Sequence, residues 1–100
     1  MGRHRVSSAA EVSLDNIWCY VANESGSMEI ADRLIDSLTT RFVLLARHPF
    51  VGRRREDIRP GMRSFPVGEY VIFYRIAAHK GVVILDVIRG TRNMAALLGA

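Results

Sequence analysis

Met62-Arg63-Ser64-Phe65-Pro66-Val67-Gly68-Glu69-Tyr70-Val71-Ile72-Phe73-Tyr74-Arg75-Ile76 is the stretch in which the chain changes its period. Before it, apolar residues recur every three to four positions. From Met62 they recur every second one, which is the spacing of a strand with one buried face. Tyr70 to Ile76 is rich in aromatic and β-branched residues and predicts a strong strand. Met62 to Phe65 predicts a shorter one, broken at Pro66-Val67-Gly68. Beyond the stretch, His79-Lys80-Gly81 predicts a turn and Val82 to Arg89 a further strand. Both faces of that last strand are largely apolar. A helix pair covers one face of a sheet, so the other is expected to need cover too, which a partner could provide.

Upstream, two helices are expected. Ala10, Leu14, Ile17, Trp18 and Val21 fall at helical spacing, and Ser8-Ala9-Ala10-Glu11 reads as a capping box with Ser8 as the cap. Ser25-Gly26-Ser27 supplies a stop and a restart: Gly26 as C-terminal cap, Ser27 as the next N-cap. Ile30, Leu34, Leu38, Phe42 and Leu45 then mark a second helix, widened by Ile35 and Val43 and ending near Arg47 before Pro49. So short a loop forces the two helices antiparallel. Trp18, Leu34, Leu38 and Phe42 are expected to dock the pair. Arg3 to Ser7 predicts a short first strand. Residues 48–61 read as irregular, with Pro60-Gly61 at the centre of a type II turn. Asn93 to Leu98 predicts a short last helix. The whole reads as one α+β domain over residues 1–100.

Composition narrows the function. The single cysteine, Cys19, excludes an internal disulfide framework and an all-Cys zinc site, and fits a reducing cytosol. No apolar run approaches the roughly 20 residues of a membrane helix, so a cytoplasmic protein without membrane contact is expected. His4, His48 and His79 have no metal-ligand spacing, there is no glycine-rich phosphate loop, and no cofactor is expected. The net charge is +4. Residues 11–36 carry six acids against Arg33; residues 37–63 carry seven arginines against Glu56 and Asp57. A basic middle favours an anionic partner, either nucleic acid or an acidic protein segment. Of the fourteen basic residues only Lys80 is lysine. Arginine gives planar pairing with carboxylate or phosphate, although a G/C-rich genome produces the same usage. Gly52-Arg53-Arg54-Arg55 is a solvated loop or an anion clamp.

Three blocks resemble a known family. Pro49-Phe50-Val51-Gly52-Arg53, then Asp57-Ile58-Arg59-Pro60-Gly61-Met62-Arg63-Ser64-Phe65-Pro66-Val67-Gly68, then Tyr70 to Arg75, are similar to the ParE toxins of bacterial type II toxin–antitoxin modules. So are the helix around Leu14, Ile17 and Trp18 and the closing Val87-Ile88-Arg89-Gly90-Thr91-Arg92-Asn93. The resemblance implies a ParE/RelE-type fold: an N-terminal strand, then an antiparallel helical hairpin on a small antiparallel sheet. It also implies a ParD-type antitoxin that wraps the toxin in a hetero-oligomer, and promoter DNA reached only through that antitoxin. DNA gyrase is the implied target. Arg63, Phe65, Tyr74, Arg75 and Arg89 are the expected antitoxin-binding residues, and Arg89 and Arg92 the expected target-binding ones.

RelE-type relatives instead cut mRNA on the ribosome. That chemistry needs a base, an acid and cations around the phosphate. The tail after Arg92 holds no side chain that could transfer a proton, and arginine is a poor general acid or base. No catalytic residue is therefore assigned. Gyrase inhibitor ranks ahead of RelE-type endoribonuclease, for which His79 and Tyr74 would be the first proton-transfer candidates. A non-toxic antitoxin-binding regulatory module is a third reading.

Overall fold

The structure is a computed structural model that describes residues 3–78 and 81–90. The chain runs β1 (His4–Val6), α1 (Ser8–Ser25), α2 (Met28–Arg47), β2 (Arg53–Arg54), β3 (Met62–Val67), β4 (Tyr70–Ile76) and β5 (Val82–Arg89). The strands form one sheet in the order β1-β5-β4-β3-β2. β2 to β5 pair antiparallel, whereas β1 pairs parallel with β5. The expected antiparallel sheet is thus mixed at one edge. A parallel pair needs a long connection, and here nearly the whole chain separates the two strands. The expected last helix at Asn93 to Leu98, and His79 and Lys80 of the expected turn, lie outside the described residues.

The caps explain the helix boundaries. Ser7, not Ser8, is the N-cap of α1: its hydroxyl oxygen accepts from the Ala10 N–H at 3.1 Å. The same hydroxyl donates to the Leu85 carbonyl at 2.9 Å, so one side chain both starts the helix and fastens it to β5. Tertiary contact therefore decides between two adjacent serines. Gly26 closes α1 at φ 69°, a left-handed conformation glycine adopts without a Cβ clash, and Ser27 caps α2 by accepting from Ile30 N–H.

α2 is the buried helix. Leu38, Phe42 and Leu45 are fully shielded, with Ala31 and Ala46, while Leu34 and Ile35 pack at the margin. Ile30 and Val43 lie outside the core, at 43% and 44% exposure, so the apolar stripe is narrower than its sequence. In α1 only Ala10 is fully buried. Trp18 is half-buried, and its indole N–H donates to Asp32 Oδ1 of α2 at 2.8 Å. It clasps the hairpin from the side instead of filling its centre.

The helix-facing side of the sheet carries Tyr70, Ile72 and Tyr74 from β4, with Phe65 and Val67 opposite them in β3. In β5 the register slips between Phe73 and Tyr74, whose partners are Asp86 and Ile84. The extra residue, Leu85, makes a bulge. It lets Val82, Ile84 and then Val87 all join the core, where strict alternation would have brought Asp86 inward. Asp86 instead accepts from Ser13 Oγ of α1. On the opposite side, Met62, Ser64, Phe73 and Val83 are at most 6% exposed. These positions are already shielded within the folded chain, while Val71 and Ile88, paired on the same side, stay half-buried, so only part of that face is left for a partner to cover.

Two further readings change. β3 continues through Pro66 to Val67. β2 reaches only Arg63 and Ser64, so no outer neighbour asks for the N–H that Pro66 lacks. Within the segment read as irregular, Arg53 and Arg54 add the short strand β2. The type II turn is present: Gly61 has φ 76° and Met62 N–H donates to Arg59 C=O.

Phe42→Ala is expected to cost about 3–5 kcal/mol in urea unfolding. Trp18→Phe, which removes the bond to Asp32 and part of a half-buried ring, should cost about 1–2 kcal/mol. Equal losses would show that Trp18 is as central to the core as Phe42.

Candidate functional site

The expected binding residues do not share one surface. Tyr74 is fully buried beneath α2. Its hydroxyl donates to Pro49 C=O at 2.7 Å and accepts from Gly52 N–H at 2.8 Å. It is a latch between the centre of the sheet and the loop after α2, which corrects its placing on a binding surface. Arg63, opposite Tyr74 in the register, works on the same loop: its guanidinium donates to Gly52 C=O at 2.7 Å and lies 5.2 Å over the Phe50 ring. Gly52 is required here by close approach. A Cβ at that position would stand 2.6 Å from Tyr74 Cε1. Phe65 sits half-buried at the core's margin. Arg75 is exposed and alternates to the other side of the sheet, between Met62 and Val83. Arg92 lies outside the described residues.

Arg89 ends β5 opposite Tyr70, about 13 Å along β4 from the Tyr74 latch at ~3.3 Å per residue. It lies 6.0 Å over the Tyr20 ring of α1 and 3.6 Å from Glu69. The Tyr20 side chain, and after it Glu69, push the guanidinium pKa further above its ordinary value, so it stays cationic. Both partners of the Glu69 pair are more than half exposed, and such a pair contributes little to stability. Its significance is position. Arg89 stands at the end of a groove that opens between the helices and the β3–β4 hairpin.

That groove is the site the sequence did not reveal. One cleft, of about 490 Å³, is lined by Val21, Ile30, Leu34, Arg41, Val67 and Tyr70. A neighbouring cleft of about 440 Å³ continues past Tyr20, Val21 and Tyr70 to Arg89. An apolar floor thus carries Arg41 along one part and Arg89 along the other, with the carboxylates of Glu24 and Glu69 also on its walls. Burial raises the Tyr70 hydroxyl pKa above 10.0, which keeps it a neutral donor at physiological pH. Val21 and Leu34 were legible as helix-stripe residues, but only the packing of the hairpin end shows them half open.

Two groups that could move a proton, Tyr74 and Glu56, are engaged within the fold, while His79 lies outside the described residues. Burial also raises the Tyr74 pKa, and both sides of its hydroxyl are taken. Glu56 shares a pocket with Arg54 and Arg63. Its carboxylate accepts from Gly61 N–H at 2.9 Å and from Arg54 at 3.3 Å, and these two bonds hold its pKa below 4.5. A carboxylate so stabilised is a weak base.

Residues 5–94 match the family model of the ParE toxin of the type II toxin–antitoxin system parDE. The chain belongs to the ParE toxin family. It is 33% identical over 99 residues to toxin ParE3 of Caulobacter vibrioides, covering 99% of this chain and 97% of that one. Toxin ParE1 of the same organism is also 33% identical, over its whole length. Toxin ParE1 of Mycobacterium tuberculosis is 31% identical over 87 residues, covering 87% of this chain and 85% of the relative. Among solved structures, a chromosomal ParDE system of P. aeruginosa superposes with a TM-score of 0.78 at 20% identity, covering 91% of this chain and 98% of that one. A RelBE2 toxin–antitoxin complex of Mycobacterium tuberculosis superposes at 0.60 with 28% identity, covering 89% and 98%. The protein is a ParE-type toxin of a type II system, with the α+β fold that both structures share.

Tyr74→Phe in this toxin should cost about 1–3 kcal/mol, because Gly52 N–H and Pro49 C=O lose a buried partner. The pH dependence gives a second reading. Tyr70 and Tyr74 have pKa values raised on folding above 10.0, so their contribution is complete below that pH and falls as pH rises through the folded values. Tyr74→Phe should flatten the loss of thermal stability as pH rises above 10.0. An unchanged alkaline slope would show that the hydroxyl does not hold the loop.

Proposed function

We propose that this toxin acts by binding DNA gyrase and that a ParD-type antitoxin neutralises it by laying an acidic, amphipathic segment in the groove between Arg41 and Arg89. The observation that carries the antitoxin half is the groove's chemistry: an apolar floor of Val21, Leu34, Val67 and Tyr70 with Arg41 in one part and Arg89 in the other, where a partner's carboxylate would displace the exposed Glu69 from Arg89. An amphipathic segment buries its apolar face there and pairs its carboxylates with the guanidinium groups. Promoter DNA is then reached through the antitoxin, within a hetero-oligomer.

Family membership supports the gyrase half, and so does the state of two candidate acids and bases. Tyr74 and Glu56 are both committed to backbone groups of the fold. A binder uses arginines for what they do well, which is to hold anions. The RelBE2 likeness favours the second reading, a ribosome-dependent endoribonuclease. Arg92 remains a proposed target contact on the strength of the family resemblance.

Purified toxin is expected to inhibit supercoiling by gyrase or to accumulate cleaved DNA, and to leave ribosome-bound mRNA intact. Ribosome-dependent mRNA cuts with gyrase unaffected would overturn this in favour of the nuclease. Arg41→Glu and Arg89→Glu should each weaken antitoxin binding roughly tenfold or more, measured by calorimetry, with an unchanged melting temperature. Wild-type affinity in both variants would place the antitoxin elsewhere.

A further inference from the structure

The loop after α2 presents two large apolar side chains to solvent. Phe50 is 73% exposed and Val51 is 52% exposed. Their backbone is fixed on every side. Val51 N–H donates to His48 C=O, Pro49 C=O accepts from Tyr74, Gly52 N–H donates to Tyr74, and Arg63 donates to the carbonyls of both Phe50 and Gly52. The loop spends its polar groups on the sheet and turns its apolar ones outward. A segment already held in one conformation loses little freedom when it binds.

In the sequence that flanks this tip the charge is one-sided. Residues 47–63 contain six arginines, at 47, 53, 54, 55, 59 and 63, against Glu56 and Asp57. Those two acids pair with Arg54 and Arg55, and Arg63 is engaged with the loop carbonyls. Among the described residues, Arg47, Arg53 and Arg59 make no ion pair. An aromatic anchor inside a polar, cationic rim is the anatomy of an interface hot spot. Single-stranded nucleic acid favours successive aromatic faces for stacking. Here the neighbour of the one aromatic is aliphatic, and a pair of that kind fills a pocket.

We propose that the Phe50–Val51 tip is the anchor by which this toxin engages its target protein, inserting into an apolar pocket rimmed by carboxylates that Arg47, Arg53 and Arg59 meet. The inference rests on the reading of the protein as a toxin that acts by binding. The tip shares no residue with the groove assigned to the antitoxin. The tip anchor and the antitoxin groove are therefore separate surfaces.

The test compares wild type with Phe50→Ala and with Phe50→Ala/Val51→Ser in three assays: gyrase supercoiling, growth arrest on induction, and antitoxin binding. Removing the exposed side chains leaves the latch in place, so the melting temperature serves as the control for folding. Expected is an at least tenfold higher concentration for half-inhibition of gyrase and loss of growth arrest, with antitoxin affinity within about twofold of wild type. Equal inhibition by wild type and variants overturns the tip and leaves the gyrase reading standing. A wild type that arrests growth without inhibiting gyrase, with the arrest lost in the variants, overturns gyrase as target and supports the tip. A wild type that does neither overturns both. Salt-sensitive binding of the wild type to a labelled DNA oligomer, lost in Phe50→Ala while gyrase inhibition persists, would assign the tip to nucleic acid and overturn the protein pocket.

Discussion

The Tyr74 hydroxyl joins the two halves of this molecule. Its ring lies in the core that α2 makes with the sheet, and its oxygen reaches the backbone of the loop that leaves α2. Because the ring is fully buried, the oxygen must find partners, and it finds Pro49 C=O and Gly52 N–H. That pair fixes where the chain goes after the helix. It sets Arg53 and Arg54 in register beside β3 and turns Phe50 and Val51 outward. Gly52 is the condition for the arrangement, since no side chain fits between the loop and the ring.

At the other edge of the sheet a second polar device does comparable work. The Ser7 hydroxyl caps α1 and bonds to the Leu85 carbonyl within the β5 bulge. The bulge in turn allows three valine and isoleucine side chains of β5 into the core and leaves Asp86 to accept from Ser13. β1, α1 and β5 are therefore tied at one place by groups that are each small and local. The core between these two fastenings is filled by α2, and its apolar burial supplies most of the stability.

Two surfaces result from this frame, and they differ in kind. The groove at the Arg89 end is concave, with a tyrosine and valine floor. The tip at the Tyr74 end is convex, with exposed phenylalanine and valine. Arginines stand at both, accompanied by Glu24 and Glu69 in the groove.

Much of the fold was legible because it depends on neighbours in sequence. The Ser25-Gly26-Ser27 restart, the Pro60-Gly61 turn, the end of α2 at Arg47 and the strands at Tyr70 to Ile76 and Val82 to Arg89 follow from local backbone preference and period. So did the family, through the blocks from Pro49 to Arg75. What the sequence could not determine is whatever depends on packing across the chain. It could not choose Ser7 over Ser8 as cap, since the deciding bond goes to Leu85. It could not see the bulge, which shifts the inward-facing residues of β5, nor that Ile30 and Val43 fall off the buried stripe. It grouped Arg63, Phe65, Tyr74, Arg75 and Arg89 by their nearness in strands. Alternation then sent Arg75 to the opposite face, burial took Tyr74 into the core, and strand length carried Arg89 to the far end, because side-chain position in a sheet is set by register and register is a tertiary property.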